Sequence, residues 1–539
     1  MLRRSVTTGE SGAVPGTGDQ LARLLAEVKS RSGLSYSELS KQTHTSTSTL
    51  HRYCTGKTVP PDYQTVARIA MACSATDSEL TELLRLWRQA RSVENADPVV
   101  PKQPSVRRRI PLGSVALSLL TVVLLLSAVA GAPTGPVSEA NQQVYGPSWA
   151  RQEPVDPTMF GVTASSSSGV MPSFRVGSLR FWDSRTRWAS IQPQRDVYDW
   201  SILDRLVDSA RHAGLPAMFV FGGTPAWAAP TSPKAAYNDG SRAAPPDDLA
   251  DWDRFVSAVA ARYRGRLDAY ELWAYGNDGR YYAGSTEALV EMTRRASLAI
   301  KAADPDVTVV CPSMGRLWTA DGLAFLRRFA ELGGYQHCDV AGIKLHQRRA
   351  ADPPETTLEL LGHIDETFHA AGAHPRLWNT GTTYEHALEK PLTEQRTIDY
   401  AVRFYLVAIY GTNKGLNRSY FYNWGGGGLP ITLQVVGGPP TRAALAVEEL
   451  QRWLAGTRTR GCEQGPSINL PVGVWQCAFT AKDGRVLLIQ WTSDGAAQTF
   501  APNRSEELRL IDGTSRPLQP GEIVHVTQTP QLIVQGPGD

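Results

Sequence analysis

The chain has 539 residues, of which 42% are hydrophobic and 20% charged. A chain of this length holds several domains, and its composition is that of ordinary globular domains with one membrane span. The net charge of +3 does not by itself favour any class of partner. No cluster of Cys and His has the spacing of a zinc site, so we expect neither a metal nor a cofactor.

The first hundred residues are predicted to form a small helical domain. Residues 1–17 are rich in Gly, Ser and Thr and are predicted to be disordered. Residues 18–92 contain five short helical patterns, and glycines end the first and the third. Ser35 and Glu38 have the spacing of a capping box at the start of the second helix. The tight turn between the second and third helices predicts a helix-turn-helix.

The stretch LSYSELSKQTHTSTSTLHRYCTGKTVPPDYQTVARIAMACSA resembles the lambda-repressor-like Cro/C1-type helix-turn-helix family common in actinobacteria. In that family the third helix enters the major groove, so the resemblance implies that residues 18–92 bind DNA. Docking to a cytoplasmic protein is the alternative, because the third helix is only modestly basic and DNA affinity depends on phosphate neutralisation. The implied DNA contacts are Ser46, Ser48, Thr49, His51, Arg52 and Lys57.

Residues 110–132 form a long apolar run without a charged residue. Such a run spans a hydrocarbon core of about 30 Å as one helix. A basic linker, 93–109, ends in three arginines, whereas the far side has no basic residue before Arg151. The positive-inside rule therefore predicts a single-pass membrane protein with a cytoplasmic N-terminus and extracytoplasmic C-terminal domains. The alternatives are a buried helix of a soluble core and a cleaved signal peptide.

Beyond a tether at 133–156, eight strand-like runs alternate with helical patterns over residues 157–440. This alternation predicts a (β/α)₈ TIM barrel. A doubly wound open sheet is the alternative, but no glycine-rich phosphate turn follows the first strand. Residues 441–539 contain further strand-like runs and predict a β-sandwich. The predicted fold class is therefore multidomain: an all-α helix-turn-helix, one transmembrane helix, a TIM barrel and a β-sandwich.

Two cysteines precede the apolar run and four follow it. An even set on the oxidising side of a membrane favours disulfides there, and the inner two are expected to stay reduced. Cys462 and Cys477 flank a short loop and are the predicted disulfide. For Cys311 and Cys338 the sequence leaves a disulfide and two buried free thiols equally open.

Active sites of TIM barrels lie at the C-terminal ends of the strands, and these ends are rich in aromatic residues here. Tryptophan and tyrosine rings can serve as platforms for the apolar C–H faces of sugars. The alternative is that the rings pack the barrel rim. The predicted carbohydrate-binding residues are Arg180, Trp182, Trp227, Trp273, Tyr275, His346, Trp378 and Trp424.

The motifs FGVTAS, LRFWDSRTRWASIQP, YDWSILDRLV, GTPAWAA, YELW, KLH and FYNW resemble retaining (β/α)₈ glycoside hydrolases of the superfamily that includes β-xylosidases and endoglucanases. Those enzymes use two carboxylates about 5–5.5 Å apart. The resemblance places the acid/base after strand four, where Tyr275 stands, and the nucleophile after strand seven, where Gly381 stands. A further glutamate common near the second strand is replaced by Gln192.

Without these glutamates the barrel is predicted to be a pseudoglycosidase. A tyrosine with an ordinary pKa of about 10 is a poor general acid near neutrality, and glycine has no side chain to attack. Neighbouring carboxylates could rescue hydrolysis, so a membrane-anchored active glycoside hydrolase is the alternative. The rescue candidates are Asp278, Asp183 and Glu385.

The sequence as a whole predicts a transmembrane regulator. Residues 18–92 would contact DNA or a cytoplasmic protein, and the outer barrel would bind carbohydrate or cell-wall glycan. A homodimer would suit DNA binding, because lambda-type domains read DNA best as pairs. A cell-envelope scaffold whose helix-turn-helix binds protein is a further alternative.

Overall fold

The computed structural model describes residues 17–90, with short gaps, and residues 153–537. The chain divides into two compact units, residues 1–134 and 135–539. The predicted linker at 93–109, nearly all of the predicted disordered segment and most of the predicted tether lie outside the described residues. The gaps are at residues 44, 61–62, 74, 77–78, 80–81, 84 and 88.

Short helices around one apolar core make up the first unit. The helices with defined bounds are α1 (Thr17–Arg31), α2 (Tyr36–Thr43), α3 (Thr47–Cys54) and α4 (Tyr63–Ala72). Described residues between 79 and 90 are helical as well. Helical spacing brings one apolar face of each helix inward, and the buried side chains include Leu25, Val28, Leu39, Leu50 and Ile69. The predicted helix-turn-helix is confirmed.

Side-chain caps determine where α2 and α3 begin. The backbone N–H of Ser35 donates to the Glu38 carboxylate at 2.8 Å, and the N–H of Glu38 donates to Ser35 Oγ at 3.2 Å. Ser46 caps α3 by accepting the N–H of Thr49 at 3.2 Å. The first N–H groups of a helix have no partner within it, so these side chains stabilise the starts of both helices.

Eight parallel strands form the sheet of the second unit: β1 (Phe160–Ala164), β2 (Ser178–Phe181), β3 (Ala217–Val220), β4 (Ala269–Glu271), β5 (Thr308–Val310), β6 (Ala341–Ile343), β7 (Leu377–Asn379) and β8 (Leu416–Trp424). Their hydrogen-bonded order is β5-β4-β3-β2-β1-β8-β7-β6. A parallel bridge between Val310 and Val340 joins the two ends of this order. The sheet is therefore a nearly closed barrel, as the alternation of strands and helices predicted.

The helices of this unit are α5 (Trp188–Ile191), α6 (Ser201–His212), α7 (Leu249–Arg262), α8 (Thr286–Ala303), α9 (Ala320–Glu331), α10 (Thr357–Ala370), α11 (Tyr384–Ala387), α12 (Glu394–Tyr410) and α13 (Arg442–Leu454). Their buried side chains recur at helical spacing, as in α6, where Leu203, Leu206, Val207 and Ala210 are buried. This spacing lets one stripe of each long helix pack on the barrel while the opposite face remains polar.

The C-terminal strands are β9 (Arg458–Gln464), β10 (Val474–Thr480), β11 (Arg485–Thr492), β12 (Ala497–Phe500), β13 (Ser505–Leu510), β14 (Ser515–Pro517), β15 (Ile523–Val526) and β16 (Gln531–Pro537). Six form an antiparallel sheet in the order β14-β13-β16-β11-β10-β9, and β12 pairs with β15. The region predicted as a β-sandwich from residue 441 thus begins with α13. Cys462 and Cys477 face each other on β9 and β10 and form a disulfide, and Cys311 forms another with Cys338.

A buried ion pair joins the barrel to this sheet. Arg403 on α12 donates from two nitrogens to the carboxylate of Glu355, and neither side chain is more than 5% exposed. Trp491 on β11 donates from Nε1 to the same carboxylate at 2.7 Å. Arg403 also donates to the carbonyl of Ser493 at 3.1 Å. The Glu355 carboxylate therefore binds side chains from both the barrel and the C-terminal sheet.

The transmembrane helix of the predicted fold class, and the single-pass membrane location derived from it, are contradicted. Within the part of the chain that the structure describes, no helix is both long and apolar enough to cross a bilayer. The 18-residue helix α8, for example, carries five charged side chains, as expected for an amphipathic helix that packs with one face. Residues 110–132, to which the prediction referred, lie outside the described residues.

Candidate functional site

A small cavity lies at the barrel mouth, where the carboxyl ends of the strands meet. Its volume is about 80 Å³, well below the roughly 300–1,000 Å³ of pockets that enclose a small-molecule ligand. The cavity is small because side chains from different strands meet across the mouth. Its lining includes Arg180, Trp182, Asp183, Tyr237, Tyr275, Lys344, Thr380, Thr382 and Tyr422.

A buried ion pair connects two of the strands that lead to this cavity. Arg180 on β2 donates to both oxygens of Glu271 on β4, from Nε at 2.6 Å and from Nη2 at 3.0 Å. Nζ of Lys344, the residue after β6, lies 3.8 Å from the same carboxylate. Burial opposes ionisation of Glu271, but Arg180 and Lys344 hold its pKa below the ordinary value. Glu271 is therefore ionised between Arg180 and Lys344, and it has no proton to donate near neutrality.

Tyr275, which stands at the position that the resemblance assigns to the acid/base, crosses the mouth. Its hydroxyl donates to the backbone carbonyl of Thr382, beyond β7, at 2.6 Å. Its φ of +59° lies in the left-handed region, which residues with a Cβ seldom adopt. Burial raises the pKa of the hydroxyl well above its ordinary value. Tyr275 thus keeps its proton and links the ends of β4 and β7.

Gly381, at the position that the resemblance assigns to the nucleophile, has a backbone conformation that suits glycine. Its φ is +118°, which residues with a side chain rarely adopt. A Cβ at this position would find no atom closer than 3.9 Å, and that atom is Thr163 Oγ1. Conformation, rather than lack of space, therefore opposes a larger residue at this position.

Of the three carboxylates predicted as rescue candidates, one lines the cavity and the other two share an ion pair with one arginine. Asp183 lines the cavity and accepts the hydroxyl of Tyr422 at 2.8 Å. Asp278 is buried and accepts from Nη2 of Arg280 at 2.6 Å, and the exposed Glu385 accepts from Nη1 of the same arginine at 2.7 Å. Among the described residues, the cavity lining includes Asp183 but neither Asp278 nor Glu385.

Three predicted sugar-binding residues line the cavity: Arg180, Trp182 and Tyr275. Trp182 is 4% exposed, and the guanidinium of Arg187 lies 5.3 Å from its ring centroid. Trp227 is half-buried away from the cavity and donates from Nε1 to the carbonyl of Gln192 at 2.9 Å. The structure therefore groups only part of the predicted set at the mouth.

Three further tryptophans that were predicted as platforms are buried in the protein interior. Trp273 packs against Trp252 and donates from Nε1 to a backbone carbonyl. Trp378 lies under the guanidinium of Arg418, 4.0 Å from the ring centroid. Trp424 is 1% exposed and donates from Nε1 to a glutamine side chain. The described lining of the mouth cavity includes none of the three, so they are not part of the candidate site.

His346 lines a neighbouring cavity of about 70 Å³, together with Gly381. Its Nδ1 lies 2.7 Å from the carbonyl of Gln347, and burial lowers its pKa to about 4, so the ring is neutral at neutral pH. The ring of His386 lies 5.0 Å away, and its Nδ1 is 3.1 Å from the hydroxyl of Thr382. Sequence reasoning did not single out His386.

Sequence reasoning also missed three residues at the barrel mouth: Lys344, Glu271 and Tyr237. Lys344 directly follows β6, so the rule that places sites at strand ends could have found it within the KLH motif. Glu271 is the last residue of β4, within YELW, but nothing in the sequence revealed its partner. Tyr237 comes from the long loop after β3 and lies under the guanidinium of Arg187, at 4.2 Å. No periodic pattern marks that loop residue.

The predicted DNA contacts lie on α3 or next to it. Leu50 and Cys54 hold one face of the helix in the core. Ser46 is occupied as the N-cap, and its hydroxyl lies 3.0 Å from that of Ser48 and 2.7 Å from that of Thr49. Of the predicted set, Thr49 is half-buried, and the exposed members are Ser46, Ser48, His51, Arg52 and Lys57.

The N-terminal unit matches a known family. Residues 20–94 match a family model described as a helix-turn-helix domain. This part of the chain is a helix-turn-helix domain. None of the curated proteins matches the chain.

Several solved glycoside hydrolase structures are similar to the chain. One is a family 39 glycoside hydrolase from the gut symbiont Bacteroides cellulosilyticus WH2, with 15% identity, a TM-score of 0.53, and coverage of 71% of this chain and 82% of that one. Two others are a glucosidase from Croceicoccus marinus and a family 39 β-xylosidase from Caulobacter crescentus. Each has 14% identity, a TM-score of 0.51, and coverage of 72% of this chain and 98% of its own. At such identities the similarity shows the fold alone: the second unit contains a glycoside hydrolase-like barrel.

Proposed function

We propose that the second unit is a carbohydrate-binding domain of glycosidase fold with a degenerate hydrolytic site, and that the helix-turn-helix domain binds DNA. The hydrogen bond from Tyr275 to the carbonyl of Thr382 carries the first part of this proposal. It crosses the mouth between the ends of strands four and seven. Retaining hydrolases that resemble this chain hold their two carboxylates at those strand ends.

Retaining hydrolysis needs a proton donor and a nucleophile on either side of the glycosidic bond. Tyr275 retains its proton because burial raises its pKa, and Gly381 offers no nucleophilic group. Glu271 is ionised and bound by Arg180. Asp183 is the one carboxylate in the described cavity lining, and it lies 3.5 Å from Nη1 of Arg187. A single carboxylate does not supply both the proton donor and the nucleophile.

Sugar binding requires hydrogen-bonding groups and an aromatic ring, but no pair of catalytic carboxylates. Asp183 can accept a sugar hydroxyl, and Trp182 offers an aromatic ring next to it in the cavity. Because the cavity measures about 80 Å³, the glycan that we propose lies across the rim and inserts only part of one ring.

Binding and turnover should be measured together on the full-length protein. We expect saturable binding of oligosaccharides from a cell-wall and plant-polysaccharide panel, and no release of nitrophenol from aryl glycosides. Trp182→Ala should weaken binding about two- to tenfold, since a buried aromatic contact contributes roughly 0.5–1.5 kcal/mol. Trp200→Ala, outside the cavity lining, is the matched control. Turnover that disappears in Asp183→Asn would contradict degeneracy, and equal binding by the two tryptophan variants would contradict the assigned site.

The helix-turn-helix domain supports DNA binding as a second function. Arg52 and Lys57 are exposed at the end of α3 and just beyond it, and cations at such positions neutralise phosphates. With a random-sequence duplex as probe, affinity should fall as salt rises. The double change Arg52→Ala, Lys57→Ala should reduce the slope of log K against log salt by about 2.

Arg85→Ala is the control for this measurement, because Arg85 is exposed and paired with Glu82 rather than placed at α3. An unchanged salt slope in the double variant would exclude these two side chains as phosphate contacts. Absence of salt-dependent binding by the unmodified protein would favour the alternative, docking to a protein partner.

A further inference from the structure

Lys344 is a buried amine at the barrel mouth to which none of the functions above gives a role. It directly follows β6, at the carboxyl end of the strand, and is 1% exposed. Its side chain nevertheless lines the mouth cavity, together with Tyr275 and Thr380. The amine therefore lies where a ligand entering the barrel mouth would meet it.

The contacts of Nζ satisfy a neutral amine. Nζ donates to the backbone carbonyl of Thr380 at 2.7 Å and to its Oγ1 at 2.9 Å. A neutral amine has two N–H groups, so these two acceptors use both of its protons and leave its lone pair free. A third proton would have Glu271 as its partner, but at 3.8 Å, beyond hydrogen-bond distance.

The charges around Lys344 also favour the neutral form. Arg180 already binds both oxygens of Glu271, so these two buried groups cancel each other's charge. A protonated Lys344 would add a second buried cation to one carboxylate. Asp183, the other carboxylate at the mouth, is partly exposed and lies 3.5 Å from a different arginine. Burial, and next the charge of Arg180, lower the pKa of Lys344 to about 7.

We propose that Lys344 is a nucleophile that condenses reversibly with a small aldehyde or ketone at the barrel mouth. Desolvated lysines form such Schiff bases with carbonyl compounds. The Nζ lone pair bonds to the carbonyl carbon, and the carbonyl oxygen takes up a proton to give a carbinolamine. Loss of that hydroxyl as water, with loss of a proton from nitrogen, forms the C=N bond. One water is released, and no oxidant or reductant is consumed.

Two features of the mouth suit this chemistry. The ring centroid of Tyr275 lies 4.9 Å from Nζ, so an apolar ring borders the amine, and the proton that the carbonyl oxygen takes up comes from water. The cavity of about 80 Å³ restricts the carbonyl compound to a few heavy atoms. This inference does not depend on the carbohydrate binding proposed above, because capture of a carbonyl compound needs neither Trp182 nor a glycan.

Reductive trapping on the native full-length protein tests the proposal. The protein is treated with glycolaldehyde and cyanoborohydride near neutral pH, and the modified lysines are identified by peptide mass spectrometry. An ordinary lysine, with a pKa of about 10.4, is less than about 0.1% neutral at pH 7. We therefore expect Lys344 to acquire the hydroxyethyl group at least about tenfold faster than the exposed Lys234 and Lys390.

The pH dependence adds a second readout. Modification of Lys344 should level off above about pH 7, whereas that of exposed lysines should keep rising to about pH 10. Tyr275→Ala, which removes the side chain across the mouth, should speed modification of Lys344 and leave the exposed lysines unchanged. Five charged or titratable groups face Nζ, and a change in the charge of any one of them would shift the pKa of Lys344. They are Arg180, Glu271, Asp183, Tyr275 and His346.

Two outcomes would overturn the proposal. One is a Lys344 that stays unmodified in the native protein but reacts after unfolding in urea, as a purely structural lysine would. The other is a rate at Lys344 no higher than at Lys390. Both outcomes are measured on the protein with its original sequence, so neither depends on whether a variant folds. Lys344→Met, which has no amine and cannot form an imine, should lose only this adduct.

Discussion

At the barrel mouth one buried carboxylate faces two buried basic groups. Arg180, Glu271 and Lys344 are each at most 1% exposed. Transfer of an ion from water to such a site costs several kcal/mol, and only good geometry offsets that cost. Here the offset comes from the two-point contact between Arg180 and Glu271. Loss of the carboxylate would leave Arg180 buried without a counter-charge.

We therefore predict that Glu271→Gln lowers the free energy of unfolding by about 3–5 kcal/mol. Urea denaturation of the full chain, followed by tryptophan fluorescence, measures the change. The control is Glu331→Gln, which breaks the exposed pair with Arg327 and should change stability by less than about 0.5 kcal/mol. Equal effects of the two substitutions would show that the buried pair does not stabilise the barrel.

The lowered pKa of Lys344 also predicts a pH dependence of stability. Between about pH 7 and pH 10 the unfolded chain holds a proton on this amine that the folded protein does not, so stability rises with pH. At most about 1.4 kcal/mol is gained per pH unit in this window. Lys344→Met should lack this gain. A difference in unfolding free energy between the two proteins that is constant from pH 7 to pH 9 would contradict the assignment.

At the scale of single elements, capping side chains determine where the helices of the helix-turn-helix begin. Replacement of Ser35 by Ala removes the acceptor for the N–H of Glu38 and should destabilise α2 by about 1 kcal/mol. Amide exchange in residues 36–43 should then become about fivefold faster. Ser35→Thr keeps the hydroxyl and is the control. Unchanged exchange in Ser35→Ala would show that tertiary packing alone determines the start of α2.

The sequence was sufficient to predict most elements because their signals are local. The capping box of α2 and the buried stripe of α6 each lie within a few residues of chain. The strand-end rule also placed Trp182 and Tyr275 at the mouth. It could not separate them from Trp273, because a position at a strand end does not say whether a side chain points to the cavity or into the core.

The remaining features of the site depend on contacts between distant parts of the chain. Lys344 bonds to Thr380, 36 residues away, and Arg180 bonds to Glu271, 91 residues away. Neither pairing has a signature in a single sequence. The positive φ of Gly381 was equally invisible, since a glycine in a sequence does not reveal which backbone conformation it adopts.

At the scale of the whole second unit, the contact of Glu355 with Arg403 and Trp491 should make the barrel and the C-terminal sheet unfold together. We predict that Glu355→Ala costs about 3–5 kcal/mol, because it leaves Arg403 buried and unpaired. Trp491→Phe keeps an aromatic ring but loses the indole N–H and its hydrogen bond to a charged group, and should cost about 1.5–3 kcal/mol. Separate unfolding transitions of the barrel and of the C-terminal sheet in the unmodified protein would contradict this coupling.

The same contact decides how the chain can be divided into fragments. A cut after residue 440, where the alternation of strands and helices ends, would separate Arg403 from the carbonyl of Ser493 and Glu355 from the indole of Trp491. It would also remove α13, which buries Trp453 and Leu454. A fragment ending there would expose apolar surface that invites aggregation. The smallest piece of this unit that folds and stays soluble should therefore extend through β16, and proteases acting on the native protein should not release a free barrel.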